Sequence, residues 1–184
     1  MKRIILLLSF TLLMLLPISA LGKDNKSFFA LKPGVYFFKG DLKDEHPMGF
    51  YGEIVYGYNL HPKFVLESGI GYFHDGVSQG NDVRGNFITF AAKGVYPIKN
   101  FKPFIGGGLG IYFTQYKGKL NGVPVDDRDN VYGGHLLFGA DYNIVSTIFI
   151  GIEGKYILTE KAEYNGIKAN LNGLATIMRL GLRF

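Results

Sequence analysis

A chain of 184 residues, 47% hydrophobic and 19% charged, with 26 Gly, 16 Phe, 12 Tyr and no Cys, has the size of one domain and excludes a disulfide framework, a thiolate metal site and a cysteine nucleophile. Glycine is about twice its usual ~7% share, yet it follows no triplet period and sits among aromatics, which excludes collagen-like and disordered chains. The formal charge of +5 is spread one basic residue per segment, with no basic helix and no aromatic RNA-reading motif, so no nucleic-acid partner is expected.

Residues 1–22 read as a secretory signal peptide. Lys2 and Arg3 precede the apolar run from Ile4 to Leu16, and Ala20 and Gly22 provide small residues before Lys23. The run is too short for a membrane helix, which needs ~20 residues. Cleavage after Gly22 would leave one domain, residues 23–184, with 18 basic and 15 acidic side chains.

Beyond Lys23 no helical stripe appears, and two-residue alternation is broken by turn clusters. In chain order it predicts eight strands: Phe28–Lys39, Gly49–Leu60, Phe64–Phe73, Phe87–Tyr96, Phe104–Lys117, Val131–Tyr142, Ile148–Leu158 and Leu171–Phe184. The connections alternate between short (Asn59–Lys63, Pro97–Pro103, Asn143–Thr147) and long (His74–Asn86, Gly118–Asn130, Thr159–Asn170). In a membrane-spanning barrel such short turns would lie on the periplasmic side, which would place the termini there. Asn121-Gly122 and Asn165-Gly166 are hairpin signals, so strand pairs five/six and seven/eight are expected to project beyond the membrane.

Each strand carries bulky apolar groups on one face (Ile54, Ile70, Leu109, Leu136, Phe138, Ile152, Leu180) and small or charged groups on the other (Gly57, Gly69, Gly106, Gly139, Gly151, Glu153, Arg179). The interior of an eight-stranded barrel is only wide enough to be filled by side chains, and the bulky set would overfill it. The apolar face therefore points outward. So large an apolar exterior requires lipid as its solvent, and lipid requires a sheet without edges. The expected fold is an all-β, eight-stranded antiparallel up-and-down transmembrane barrel after a cleavable signal helix.

The stretches Leu66-Glu67-Ser68-Gly69-Ile70-Gly71-Tyr72 and Lys102-Pro103-Phe104-Ile105-Gly106-Gly107-Gly108-Leu109-Gly110, with the ending Arg179-Leu180-Gly181-Leu182-Arg183-Phe184, resemble the small outer-membrane β-barrel family that includes OmpX and the OmpA membrane domain. The resemblance spans the mature chain and implies a bacterial outer-membrane location. It also implies a terminal Phe184 read by the barrel assembly machinery. Unlike OmpA, the chain ends at its last strand, so no peptidoglycan-binding domain is expected.

Charges withdrawn from water need partners. The lumen face offers Lys32, Glu53, Glu67, Lys93, Asp141, Glu153, Lys155, Arg179 and Arg183 as a salt-bridge network. The pairs expected from neighbouring strands are Glu67 with Lys93, Asp141 with Lys155, Glu153 with Arg179 and Glu53 with Lys32. An enzyme is not expected: only His74, Asp75 and Ser78 gather like a hydroxyl-activating set, and loop polarity explains them equally well. No cofactor or metal is expected. His135 reads as a hydrogen-bonded filler, Asp126, Asp127 and Asp129 as a solvated acidic tip, and Met48 and Met178 as isolated apolar residues. Two functions remain: a monomeric, plugged structural or surface-interaction protein among outer-membrane lipids including lipopolysaccharide, or an OmpW-like narrow conduit for small, apolar solutes. The charged lumen favours the first.

Overall fold

The computed structural model describes residues 26–41, 43, 47–75, 82–120 and 123–184; the expected signal peptide, Ser78 and the expected hairpin signal Asn121-Gly122 lie outside them. The strands are β1 (Ser27–Phe38), β2 (Met48–His61), β3 (Phe64–His74), β4 (Asp82–Val95), β5 (Phe101–Leu120), β6 (Val123–Asn143), β7 (Ile148–Thr159), β8 (Lys161–Tyr164), β9 (Ile167–Asn170) and β10 (Gly173–Arg183). Eight of them close into an antiparallel barrel in the order β1-β10-β7-β6-β5-β4-β3-β2, and β8 and β9 form a separate two-stranded sheet.

Closure is made by β1 against β10. Their register runs from Phe28↔Arg183 to Leu31↔Leu180, then from Gly34↔Ile177 to Phe38↔Gly173. The break falls at Lys32 and Pro33, and proline has no amide hydrogen to give the ladder. On its other side β1 pairs with β2 without interruption, Pro33 opposite Gly52 included.

The alternation sends the exposed apolar set outward and the charged set inward as expected. The inner face is not limited to small and charged groups, however, since Tyr51, Phe73, Phe87, Tyr112 and Phe149 are buried there as well. Ile105, Leu109, Leu136, Phe138, Ile152 and Met178 are exposed on the outer wall, whereas Arg179, Lys32 and Glu153 are buried inside. In hydrocarbon that outer wall meets its preferred solvent, and the closed ladder leaves no amide unpaired along an edge. The interior also holds many aromatics. Phe28 and Phe149 fit at one end because Gly57 and Gly181 face them; a Cβ at either glycine would fall within the neighbouring ring.

Two expectations needed correction. Strands β4, β5 and β6 run further than the apolar alternation does: β4 begins at Asp82, and β5 and β6 continue to Leu120 and from Val123. Above the lipid belt their outward residues are Arg84, Asn86, Gln115, Lys117, Arg128 and Asn130, so the oily half of the pattern fades while the ladder continues. A membrane strand needs ~9–11 residues, so about ten residues of each of β5 and β6 project as a hairpin. The second projecting hairpin is absent as such. Thr159–Asn170 instead makes β8–β9, whose turn at Asn165 (φ 48°) and Gly166 (φ 80°) has the two left-handed residues that a tight hairpin demands. This hairpin folds back over the barrel mouth.

Candidate functional site

The lumen is filled in three layers. At the short-turn end lie Phe28, Ala30, Val65 and Phe149. At the long-loop end a larger aromatic cluster includes Tyr36, Tyr51, Phe73, Phe87, Tyr112 and Tyr116. Between them sits the ionic layer, with one or two charged side chains from each barrel strand except β5. The inward Gly106 and Gly108 of β5 leave room for Leu137 and His135 of β6.

Arg179 is the hub. Its Nε donates to Asp141 Oδ1 at 2.7 Å, its Nη1 to Glu153 Oε2 at 2.6 Å and its Nη2 to Glu67 Oε1 at 3.0 Å. Lys93 Nζ lies 2.7 Å from Glu67 Oε1 and 2.8 Å from Glu153 Oε2. Lys32 Nζ donates to Glu67 Oε2 at 2.9 Å and to Glu153 Oε1 at 3.1 Å. Lys155 Nζ donates to Glu53 Oε2 at 2.6 Å and to the Tyr51 hydroxyl at 3.0 Å. Tyr51 and Thr89 hydroxyls donate to the two Glu53 oxygens at 3.1 and 2.7 Å. The Lys93 ammonium and Arg179 guanidinium also lie over the Phe104 ring, at 4.3 and 5.0 Å. Four cations therefore face four carboxylates, all of them buried, and each carboxylate has at least one close cation.

The structure brings together eight of the nine residues named from sequence. Glu67 meets Lys93, and Glu153 meets Arg179. Lys32, although opposite Glu53 in register, is 3.7 Å from it and closer to Glu67 and Glu153. Asp141 pairs with Arg179 rather than Lys155, because Lys155 reaches Glu53. Neighbouring strands set the Cβ positions, but long side chains in a narrow tube choose partners across it. Arg183 stands apart: it is half-buried at the short-turn end, donates to Asn143 Oδ1 at 2.6 Å and lies 4.3 Å over the Phe149 ring. Phe184 lies on the outer wall with its ring 5.5 Å from that of Phe29.

His135 is buried, but neither ring nitrogen has a hydrogen-bond partner among the described residues. The expected hydrogen-bonded filler is a packed one, set over Gly108. The His74-Asp75-Ser78 grouping is not visible as a set either: His74 Nε2 lies 3.0 Å from Asp82 Oδ1, and Ser78 is outside the described residues.

The acidic run of β6 is engaged rather than merely solvated. Asp127 Oδ2 accepts from the Asn165 amide at 2.9 Å, and Asp129 Oδ2 accepts from the Glu163 amide at 2.8 Å. These side chains dock β8 onto the edge of β6 that β5 leaves free. On the other flank Asp41 Oδ2 accepts from the Asn170 amide and side chain at 3.1 and 3.0 Å. Tyr164, Ala162, Ala169 and Leu171 then bury themselves in the mouth. The Tyr164 hydroxyl donates to Thr114 Oγ1 at 2.7 Å and that of Tyr36 to the Leu171 carbonyl. Sequence reasoning missed this cap because its contacts join loops distant in the chain.

Burial pushes the Tyr164 hydroxyl up to about 12, so it stays protonated at any physiological pH and keeps its hydrogen for Thr114. The amides of Asn165 and Arg128 hold the Asp127 carboxyl below its usual value. A carboxyl depressed in the folded state contributes stability that is fully present above its unfolded pKa of about 3.9 and is lost as pH falls through the folded value. The Asn165 amide proton should therefore shift in NMR spectra with a midpoint below about 3.9. A midpoint at or above it would remove this anchor.

A closed barrel with an apolar wall, a filled ionic core and short turns at one end defines a transmembrane β-barrel of the bacterial outer membrane. The chain matches the outer membrane protein beta-barrel domain family over residues 8–179 and belongs to it. Among solved structures it is similar to Neisserial surface protein A (TM-score 0.70, 16% identity, covering 89% of this chain and 99% of that one). It is also similar to the N-terminal β-barrel domain of Pseudomonas aeruginosa OprF (0.60, 16%, 86% and 98%). A third similar structure is Ail, the attachment invasion locus protein of Yersinia pestis (0.56, 12%, 85% and 96%). No curated protein matches the chain.

Proposed function

We propose that this protein is a non-conducting, monomeric barrel that serves as a structural and surface-interaction protein of the envelope. Its β5–β6 hairpin is the contact element, lipopolysaccharide is among its lipid surroundings, and Phe184 is its signal to the assembly machinery. The observation that carries this reading is the filled lumen. A solute would have to pass the cap, an aromatic layer, four interlocked ion pairs and the Phe28–Phe149 layer, and eight strands leave no spare width. The long hairpin supplies the outward reach, and no catalytic role is assigned.

Purified protein in planar bilayers is expected to show no discrete conductance steps; reproducible unitary steps would overturn the plug. Replacing Lys117–Asp126 by Asn-Gly keeps the Asp127 and Asp129 anchors. It should leave a folded barrel that no longer binds lipopolysaccharide or cell surfaces, and full binding by that variant would remove the hairpin's role.

A further inference from the structure

The end of the barrel with the short turns is basic. Among the described residues there, Lys26, Lys63, Lys99, Lys102 and Arg183 supply five cations, and segments 59–63, 96–102 and 143–147 contain no Asp or Glu. Asp141, the lumen carboxylate opposite Lys102 in register, is held by Arg179 at 2.7 Å. Between them the three turns carry Lys63, Lys99 and Lys102 and no carboxylate side chain.

On the outer wall beside this ring lies a shallow, open hollow of about 450 Å³ bounded by Lys63, Gly94, Tyr96, Pro103 and Ile105. Its floor is open because Gly94 has no side chain; a Cβ there would meet nothing nearer than the Ile105 carbonyl at 3.8 Å. Tyr96 and Ile105 stand up on its margins, both strongly exposed. The backbone holds Lys63 and Tyr96 beside the hollow: the Val95 amide donates to the Lys63 carbonyl at 2.9 Å, and the Tyr96 amide donates to the Pro103 carbonyl at 2.8 Å. An apolar trough with a lysine and a tyrosine at its polar end, set at the membrane boundary, has the amphipathic order of one lipid molecule.

We propose that this hollow binds an anionic glycerophospholipid of the periplasmic leaflet. An acyl chain lies over Gly94 and against Ile105, the glycerol level is at Tyr96, and the phosphodiester is at Lys63 with the Lys99 turn beside it. The proposal rests on the short turns being periplasmic. It does not depend on whether the lumen conducts, so the conductance experiment can fail without touching it.

The chain contains no tryptophan, so Tyr96→Trp creates a single fluorescent reporter at the rim. The full protein is reconstituted in vesicles containing brominated phosphatidylglycerol or brominated phosphatidylcholine. Half-maximal quenching is expected at about fivefold lower mole fraction of the anionic lipid, the scale of one lysine at an anionic surface. Adding Lys63→Ala, a change in an exposed turn, should abolish that preference. Gly94→Leu should fill the hollow and weaken quenching by both lipids. A reporter at Ile148→Trp, beside the uncharged 144–147 turn, should show no preference. Equal quenching by the two lipids, a preference that survives Lys63→Ala or Gly94→Leu, or the same preference at Ile148→Trp would each overturn the site.

Discussion

Replacing Glu153 by Ala is expected to produce a large loss of stability. Its carboxylate meets Lys32, Lys93 and Arg179 at 3.1, 2.8 and 2.6 Å, so its removal leaves four buried cations facing three carboxylates. Breaking a buried pair from one side costs about 3–5 kcal/mol, because the partner's charge stays buried without compensation. With an m-value of about 2 kcal/mol/M, the urea midpoint of the folded barrel should fall by about 2 M. The companion experiment is charge-balanced: Glu153→Gln with Lys93→Met restores neutrality, so the double variant should lose clearly less than the sum of the two single losses. A midpoint unchanged by Glu153→Ala, or strict additivity in the cycle, would mean that these contacts are not energetically coupled.

The ionic layer shows how much of the site could be read from the chain alone. Period-two alternation placed Lys32, Glu53, Glu67, Lys93, Asp141, Glu153, Lys155 and Arg179 on the inner face, because strand geometry leaves no other choice once the outer face is known. Partner choice was only half legible. Glu67–Lys93 follows from adjacent strands, whereas Asp141–Arg179 and Lys155–Glu53 depend on side-chain reach across the tube. The ends of β4 to β6 were hidden for a different reason: above the lipid both faces are polar or mixed, and the pattern that marks a strand loses its contrast. The β8–β9 turn was legible from Asn165-Gly166, but the direction in which that hairpin folds was not. It is fixed by Asp41, Asp127, Asp129 and Tyr164, which reach Asn170, Asn165, Glu163 and Thr114 from residues far away in sequence.

The cap and the ionic layer divide the labour of closing the barrel. The cap is held largely by carboxylates accepting backbone amides at the water-exposed end, where each bond competes with solvent and contributes modestly. The layer below is buried and charged, so its bonds are stronger and the loss of one partner is more costly. Loosening the hairpin by acid should therefore leave the lumen shut.

Leu109→Arg is expected to destabilise the barrel clearly when it is folded in lipid vesicles, by an amount bounded by the about 2–4 kcal/mol of an arginine at the bilayer midplane and falling toward the interfaces. Leu109 is 73% exposed, and at so exposed a position in a water-soluble protein the same change would shift stability by less than about 0.5 kcal/mol. The sign and size of the effect thus report which solvent the outer wall meets. Arg128, also exposed on β6 but above the belt, provides the control: Arg128→Leu should change the vesicle unfolding midpoint little, because that side chain stands in water. If Leu109→Arg proved neutral in vesicles while Arg128→Leu was costly, the apolar wall would not be facing acyl chains. Closure of the sheet would then need a reason other than the absence of water along its edges.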